Sequence, residues 1–230
     1  MRRIVTLATL FGFAALPAGA QTVLTIAATG QAETAPDEAV ATLTAQANAP
    51  DAATAQGDVN AAMTKALAEV RAVAGLKATT GGYQTIQMTD SQTQRTSFQA
   101  SQSLQLTMPA AGGVPVPGLT ALLGRLQQQG LLLNELDGDL SATARLAAQQ
   151  QAIVAALDQI EAQAAAVATR LHERVGPVKT LNVNAAQSPG PVPMLAMAMA
   201  RTAVAPVSVP GNIQVSADVT ATIGLNPAQD

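Results

Sequence analysis

The chain has 230 residues, 48% of them hydrophobic, yet only 12% are charged and 2% aromatic. Lys and Arg total 12 against 15 Asp and Glu, a formal net charge of −3, so no basic face or set of aromatic platforms is available for nucleic acid. One Tyr, three Phe and no Trp exclude the aromatic girdles of an outer-membrane barrel, and zero Cys excludes disulfides, thiolate metal sites and Cys nucleophiles.

The N-terminus reads as a secretory signal: Arg2 and Arg3, an apolar run from Ile4 to Leu16, and a small-residue cleavage site at Ala18-Gly19-Ala20. The run is too short to span a bilayer, which takes about 20 residues. The expected product is an exported protein of the periplasm, cleaved after Ala20, with no transmembrane span and with a further expectation of outer-membrane association. Residues 21–230 are expected to form a single domain.

Thr22 to Thr29 is β-branched and reads as a strand, as does Glu38 to Ala47; the turn chemistry of Pro36-Asp37 predicts a hairpin between them. Pro50-Asp51 opens a helix to about Ala74, with Val59, Met63, Leu67, Val70 and Val73 as its apolar stripe and Gly75 as its stop. Strands follow at Gly82 to Asp90 and Ser97 to Met108, the second alternating Phe98, Ala100, Leu104, Leu106 and Met108 against Ser and Gln. A Gly/Pro loop (Ala110 to Pro117) leads to a short helix, Leu119 to Gln129. Leu131 to Leu140 reads as a strand, with a turn signal at Asp137-Gly138.

The longest element is an Ala-rich helix from about Thr143 to Glu173, whose expected core stripe is Leu146, Ile153, Leu157, Ile160, Val167 and Leu171. Val178 to Ala185 reads as a strand, and a Pro/Met-rich loop covers residues 187–211. The last strand, Ile213 to Leu225, alternates apolar residues with Gln214, Ser216, Asp218, Thr220 and Thr222. The fold class is α+β: a largely antiparallel sheet backed by helices, one of them long and Ala-rich.

Four stretches carry a resemblance: Ala28 to Asp37, with Thr29-Gly30 and Pro36-Asp37; Thr80 to Tyr83 with Phe98 to Leu104; Ala162 to Leu171 leading into Gly176-Pro177-Val178; and Pro210 to Ala217. In this order they resemble the SIMPL-domain family of bacterial envelope proteins, which includes the periplasmic immunogenic proteins. Where that family usually ends its long helix with Gly, this chain has His172. The resemblance implies a two-layer α/β unit, a protein linked to oxidative or envelope stress without an accepted catalytic mechanism, and assembly into large hollow oligomers as in some members.

Candidate sites are few. His172 is the only His, and its sequence neighbour Glu173 points off another side of a helix, so it reads as a solvated residue near a helix C-terminus. Asn134, Glu135, Asp137 and Asp139 around Gly138 lack the spacing of a calcium loop and read as a solvated turn. Ser97, Ser101 and Ser103 have no evident base. No catalytic or cofactor-binding residue is assigned, and no cofactor. Met194, Met197 and Met199 place three thioethers within six residues, which could hold Cu(I) or scavenge oxidants; adaptable Met side chains also serve as packing. The expected function is that of a non-catalytic periplasmic scaffold, a homo-oligomer or a binder of an envelope protein. The alternatives are a Met-rich copper-binding or oxidant-scavenging stress protein, and an enzyme with a cryptic site.

Overall fold

The structure is a computed structural model that describes residues 22–89, 91, 94–184 and 210–228. Its elements are β1 (Thr22–Thr34), β2 (Glu38–Ala49), α1 (Ala52–Arg71), β3 (Lys77–Thr89), β4 (Thr96–Pro109), a short 3-10 turn (Ala111–Gly113), α2 (Pro117–Gln128), β5 (Leu132–Asp139), α3 (Ala142–Arg170), β6 (Glu173–Asn184) and β7 (Ile213–Pro227). The signal region, the Pro/Met-rich segment and with it Met194, Met197 and Met199 lie outside the described residues.

The α+β reading holds, with every strand pair antiparallel, but the strands form two sheets. One has the order β1-β7-β6 and the other β3-β4-β2-β5. The expected hairpin between β1 and β2 is therefore a correction. Thr34 pairs with Ile213, while Glu38 pairs with Pro109 on one side and Asp139 on the other. Pro36-Asp37 is the point where the chain crosses from one sheet to the other. Its turn chemistry is real, but the register on each side is set by strands far away in sequence.

Each sheet has its own helical layer. α1 and α2 cover the four-stranded sheet, burying Val59, Met63, Val70, Leu119, Leu122, Leu123 and Leu126 against Leu43, Leu104 and Leu106. Asp51 caps α1 through Thr54 N (2.9 Å), and Arg125 of α2 pairs with Glu69 of α1 at 2.9 Å. α3 covers the three-stranded sheet, in which β7 runs through the middle and buries Ile213, Val215, Ala217, Val219, Ala221, Ile223 and Leu225, the alternation expected from its sequence.

The face that α3 buries is only partly the expected one. Ile160 is buried and Ile153 and Leu157 pack against the core, but Leu146 and Leu171 are exposed, and the remaining buried positions are Ala148, Ala152, Ala156, Ala164 and Ala168. Small side chains every four residues let the helix backbone approach the sheet closely. Gly30 of β1 completes that approach: a Cβ there would collide with the main chain of α3 at Ala152 O and Ala156 N. At 1.5 Å per residue the 29-residue helix is about 43 Å long, so this close packing runs along most of one face of the sheet.

α3 ends at Arg170, earlier than expected, because His172 adopts a left-handed backbone (φ 54°). His172 N donates to Thr169 O (3.3 Å), and its carbonyl accepts from Ala228 N (3.4 Å), which ties the turn to the far end of β7. A left-handed residue costs an L side chain about 1–2 kcal/mol, which is why Gly is favoured at such a turn. His172→Gly is expected to raise stability by up to about 1 kcal/mol in urea melts, the gain being reduced by glycine's larger unfolded-state entropy. A clear loss of stability would show that the imidazole makes contacts the turn needs.

Candidate functional site

Where the two sheets meet, the chain builds a tight joint from small residues and prolines. A Cβ on Gly113 would meet Gly138 Cα at 2.7 Å, Pro36 Cβ at 2.8 Å and Pro210 Cγ at 3.0 Å. A Cβ on Gly138 would likewise meet Pro210 Cβ at 2.7 Å and Pro36 Cβ at 2.9 Å. This explains why Asp137-Gly138, expected as a turn, stays in strand β5: the glycine is there for close approach, not for a change of direction.

Asp37 fastens the joint. Its amide donates to Asp139 O (3.1 Å) and its carbonyl accepts from Ala110 N (2.8 Å). Its carboxylate accepts from Ser141 N (2.6 Å) and Ser141 Oγ (2.7 Å), and Ser141 Oγ in turn caps α3 by accepting from Ala144 N (3.2 Å). One residue thus holds the ends of β4 and β5 and the start of α3. Desolvation pushes the Asp37 carboxyl up, but the Ser141 hydrogen bonds and its own backbone N–H outweigh it and hold the group below the usual carboxylate range.

The acidic cluster does not converge. Asp139 accepts from Arg145 Nη2 and from Leu140 N, while Asn134 donates to Thr44 Oγ1 at 2.6 Å. Glu135 and Asp137 sit two apart on β5; desolvation first, then the Asp137 charge and hydrogen bond, push the Glu135 carboxyl up. Among the described residues no group of three or more His, Cys, Asp and Glu is placed to hold a metal ion. His172 and Glu173 are adjacent but used differently: Glu173 Oε1 accepts from Thr22 Oγ1 (2.8 Å), which pins β6 to β1 across the end of β7. Ser103 donates to Gly81 O (2.6 Å), a strand-to-strand contact.

The outward faces of both sheets are rich in Thr, Ser and Gln, with Glu33 and Asp218 among them on one and Glu38, Glu135 and Asp137 on the other. Thr25 faces Thr222, Gln214 donates to Gln31 (2.6 Å) and Thr29 donates to Asp218 (2.6 Å) on one sheet; Thr42, Thr44, Ser101, Ser103 and Gln105 line the other. Of the four edge strands, β3 and β6 differ from β1 and β5, because both of their faces are exposed for almost their whole length. Tyr83, Ile86 and Met88 stand out from β3, and Val175, Val178, Leu181 and Val183 from β6, the last four 41–57% exposed. β6 is exposed because α3 lies chiefly over β1 and β7 and covers β6 only in part. A groove of about 430 Å³ remains between α3 and β6, lined by Leu157, Ile160 and Ala164 on one wall and Val175, Val178 and Leu181 on the other. The sequence reading missed this groove, since β6 alternates too weakly to signal a face without a cover.

These features define a two-sheet α+β protein with long exposed strand edges. The SIMPL family model, described as a protein of unknown function (DUF541), matches residues 24–223. The chain belongs to the SIMPL family. The stretches that carry the family resemblance have these places in the fold: Gly30 against α3, Pro36-Asp37 at the joint, and Pro210 wedged between Gly113 and Gly138. No curated protein matches the chain. Among the described residues no helix is long and apolar enough to cross a membrane.

Proposed function

We propose that this protein is a non-catalytic, exported periplasmic protein that assembles with copies of itself as a scaffold in the cell envelope, in the service of envelope or oxidative stress. The observation that carries the assembly is the pair of long edge strands, β3 and β6, exposed on both faces and bearing Tyr83, Ile86, Met88, Val175, Val178, Leu181 and Val183. An unpaired edge with apolar side chains is a template for another chain, and soluble proteins normally blunt such edges. The Thr-, Ser- and Gln-rich sheet faces support the same reading, because uncharged polar groups cost less to desolvate than charges do. Export and localisation rest on the basic, apolar and small-residue pattern of residues 2–20; the stress role rests on the family resemblance.

Light scattering on the mature chain, residues 21–230, tests the assembly. The expected mass is a multiple of the protomer that holds on dilution. A protomer mass at every concentration would overturn the reading. The spacing of Met194, Met197 and Met199 favours a second reading, Cu(I) binding, and competition with a Cu(I) chelator against the triple Met→Ala variant decides it.

A further inference from the structure

We propose that the groove between α3 and β6 is the docking site of the chain's own Pro/Met-rich segment, with Met194 to Met199 laid over its apolar floor and Arg201 paired with Glu161. The groove walls are aliphatic, and among the described residues that line it only Glu161 carries a charge. Among the described residues Glu161 takes part in no ion pair. Residues 185–209 have the matching chemistry. Met194, Leu195, Met197 and Met199 are apolar, and Arg201 is the one charged residue of the whole stretch. Methionine is unbranched and polarisable, so it fills an irregular groove without needing a fixed shape. A single cation among apolar side chains thus meets a single anion among apolar side chains.

The two points of attachment allow this contact. The segment leaves the sheet at Asn184, on the same strand as Leu181 of the groove wall. It returns at Pro210, which sits at the joint against Gly113 and Gly138. Ser141 marks the same joint at the start of α3, and Glu161 lies about 30 Å along the helix from it at 1.5 Å per residue. The chain from Arg201 to Pro210, when extended, also reaches about 30 Å. Tethered at both ends beside the groove, the segment has an effective concentration there that a free partner lacks. Docking covers the side of β6 that carries Val178 and Leu181. It leaves β3 and the unpaired edge of β6 for assembly, which does not depend on it.

Hydrogen exchange read by mass spectrometry on the full mature chain, residues 21–230, tests the pairing. Amides between Met194 and Arg201 are expected to exchange at least about tenfold more slowly than in a free peptide of the same sequence. Glu161→Lys and Arg201→Glu should each abolish that protection, and the double swap should restore it. Exchange at the free-peptide rate in the wild-type chain, or protection that neither swap alters, would overturn the proposal. The chain has no Cys, so a Val178→Cys, Met197→Cys variant gives an intrachain disulfide only if the segment reaches the groove wall. The expected product has the protomer mass on a denaturing gel, while Tyr83→Cys with Met197→Cys stays reduced. A disulfide of two-chain mass would seat the segment on a second copy, and equal yields from the two pairs would show no preference for the groove; either overturns the proposal. Light scattering on the same samples reads assembly separately. A monomer with protected amides sinks the assembly reading alone, and an assembled chain with unprotected amides sinks this one alone.

Discussion

Gly30→Val is expected to destabilise the protein by more than about 4 kcal/mol, a large share of an ordinary stability of about 5–15 kcal/mol. The reason is geometric. The atoms that a Cβ at position 30 would strike are Ala152 O and Ala156 N, main-chain atoms in the middle of α3, which cannot rotate away as a side chain can. The helix would have to lift from β1, and lifting it uncovers Ala148, Ala152, Ala156, Ile160, Ala164 and Ala168 together with the strand residues beneath them. Because these side chains are small, their attraction depends on close approach and is lost over a gap of about 1 Å. Gly57→Ala, in α1, is the matched control. Nothing lies within 4 Å of a Cβ there, so it should stabilise by about 0.5–1 kcal/mol through helix propensity. Urea denaturation followed by circular dichroism reads both. A Gly30→Val protein within about 1 kcal/mol of wild type would mean that α3 does not pack on β1 as described.

Asp37→Ala carries the second large effect, a loss of about 3 kcal/mol, since hydrogen bonds to a charged acceptor contribute more than neutral ones and Ser141 N is left at a part-buried joint without its acceptor. The effect has a pH signature. The native Asp37 carboxyl lies below its unfolded value, so its contribution is fully present above about pH 4 and fades as pH falls through the lowered native value. Wild type and Asp37→Ala should therefore converge in stability below about pH 4. A difference that stays constant from neutral to strongly acidic solution would show that the carboxylate is not the fastening group and that the alanine acts through the backbone.

How much of this was legible in the residues varies by element. The alternation of Ile213 to Leu225 predicts its buried face because one strand sees one helix layer, and a period of two is then enough. The stripe in α3 misleads because hydrophobicity ranks Leu above Ala, whereas the helix is selected for closeness. The signal was present in the four-residue spacing of Ala148, Ala152, Ala156, Ile160, Ala164 and Ala168, all but one of them alanine, and in a strand glycine with no turn to make. The hairpin at Pro36-Asp37 could not be corrected from local chemistry, since the partner of Thr34 is Ile213, at the other end of the chain. The groove beside β6 depends on where α3 ends laterally on the sheet, a matter of packing that no window of sequence contains. His172, by contrast, takes the left-handed turn at the place where the family usually has Gly, so the departure from the motif marked the right residue for a reason of backbone geometry.

The composition that excludes so much at the outset, few charges and very few aromatic rings, belongs to a protein whose sheet faces are Thr, Ser and Gln and whose longest helix is held by alanines. The proposed assembly rests on the exposed edge strands β3 and β6. Sedimentation velocity on the mature chain over a wide concentration range tests this most directly. The account predicts a discrete species larger than the protomer that persists on dilution. A single protomer-sized boundary at every concentration would contradict it.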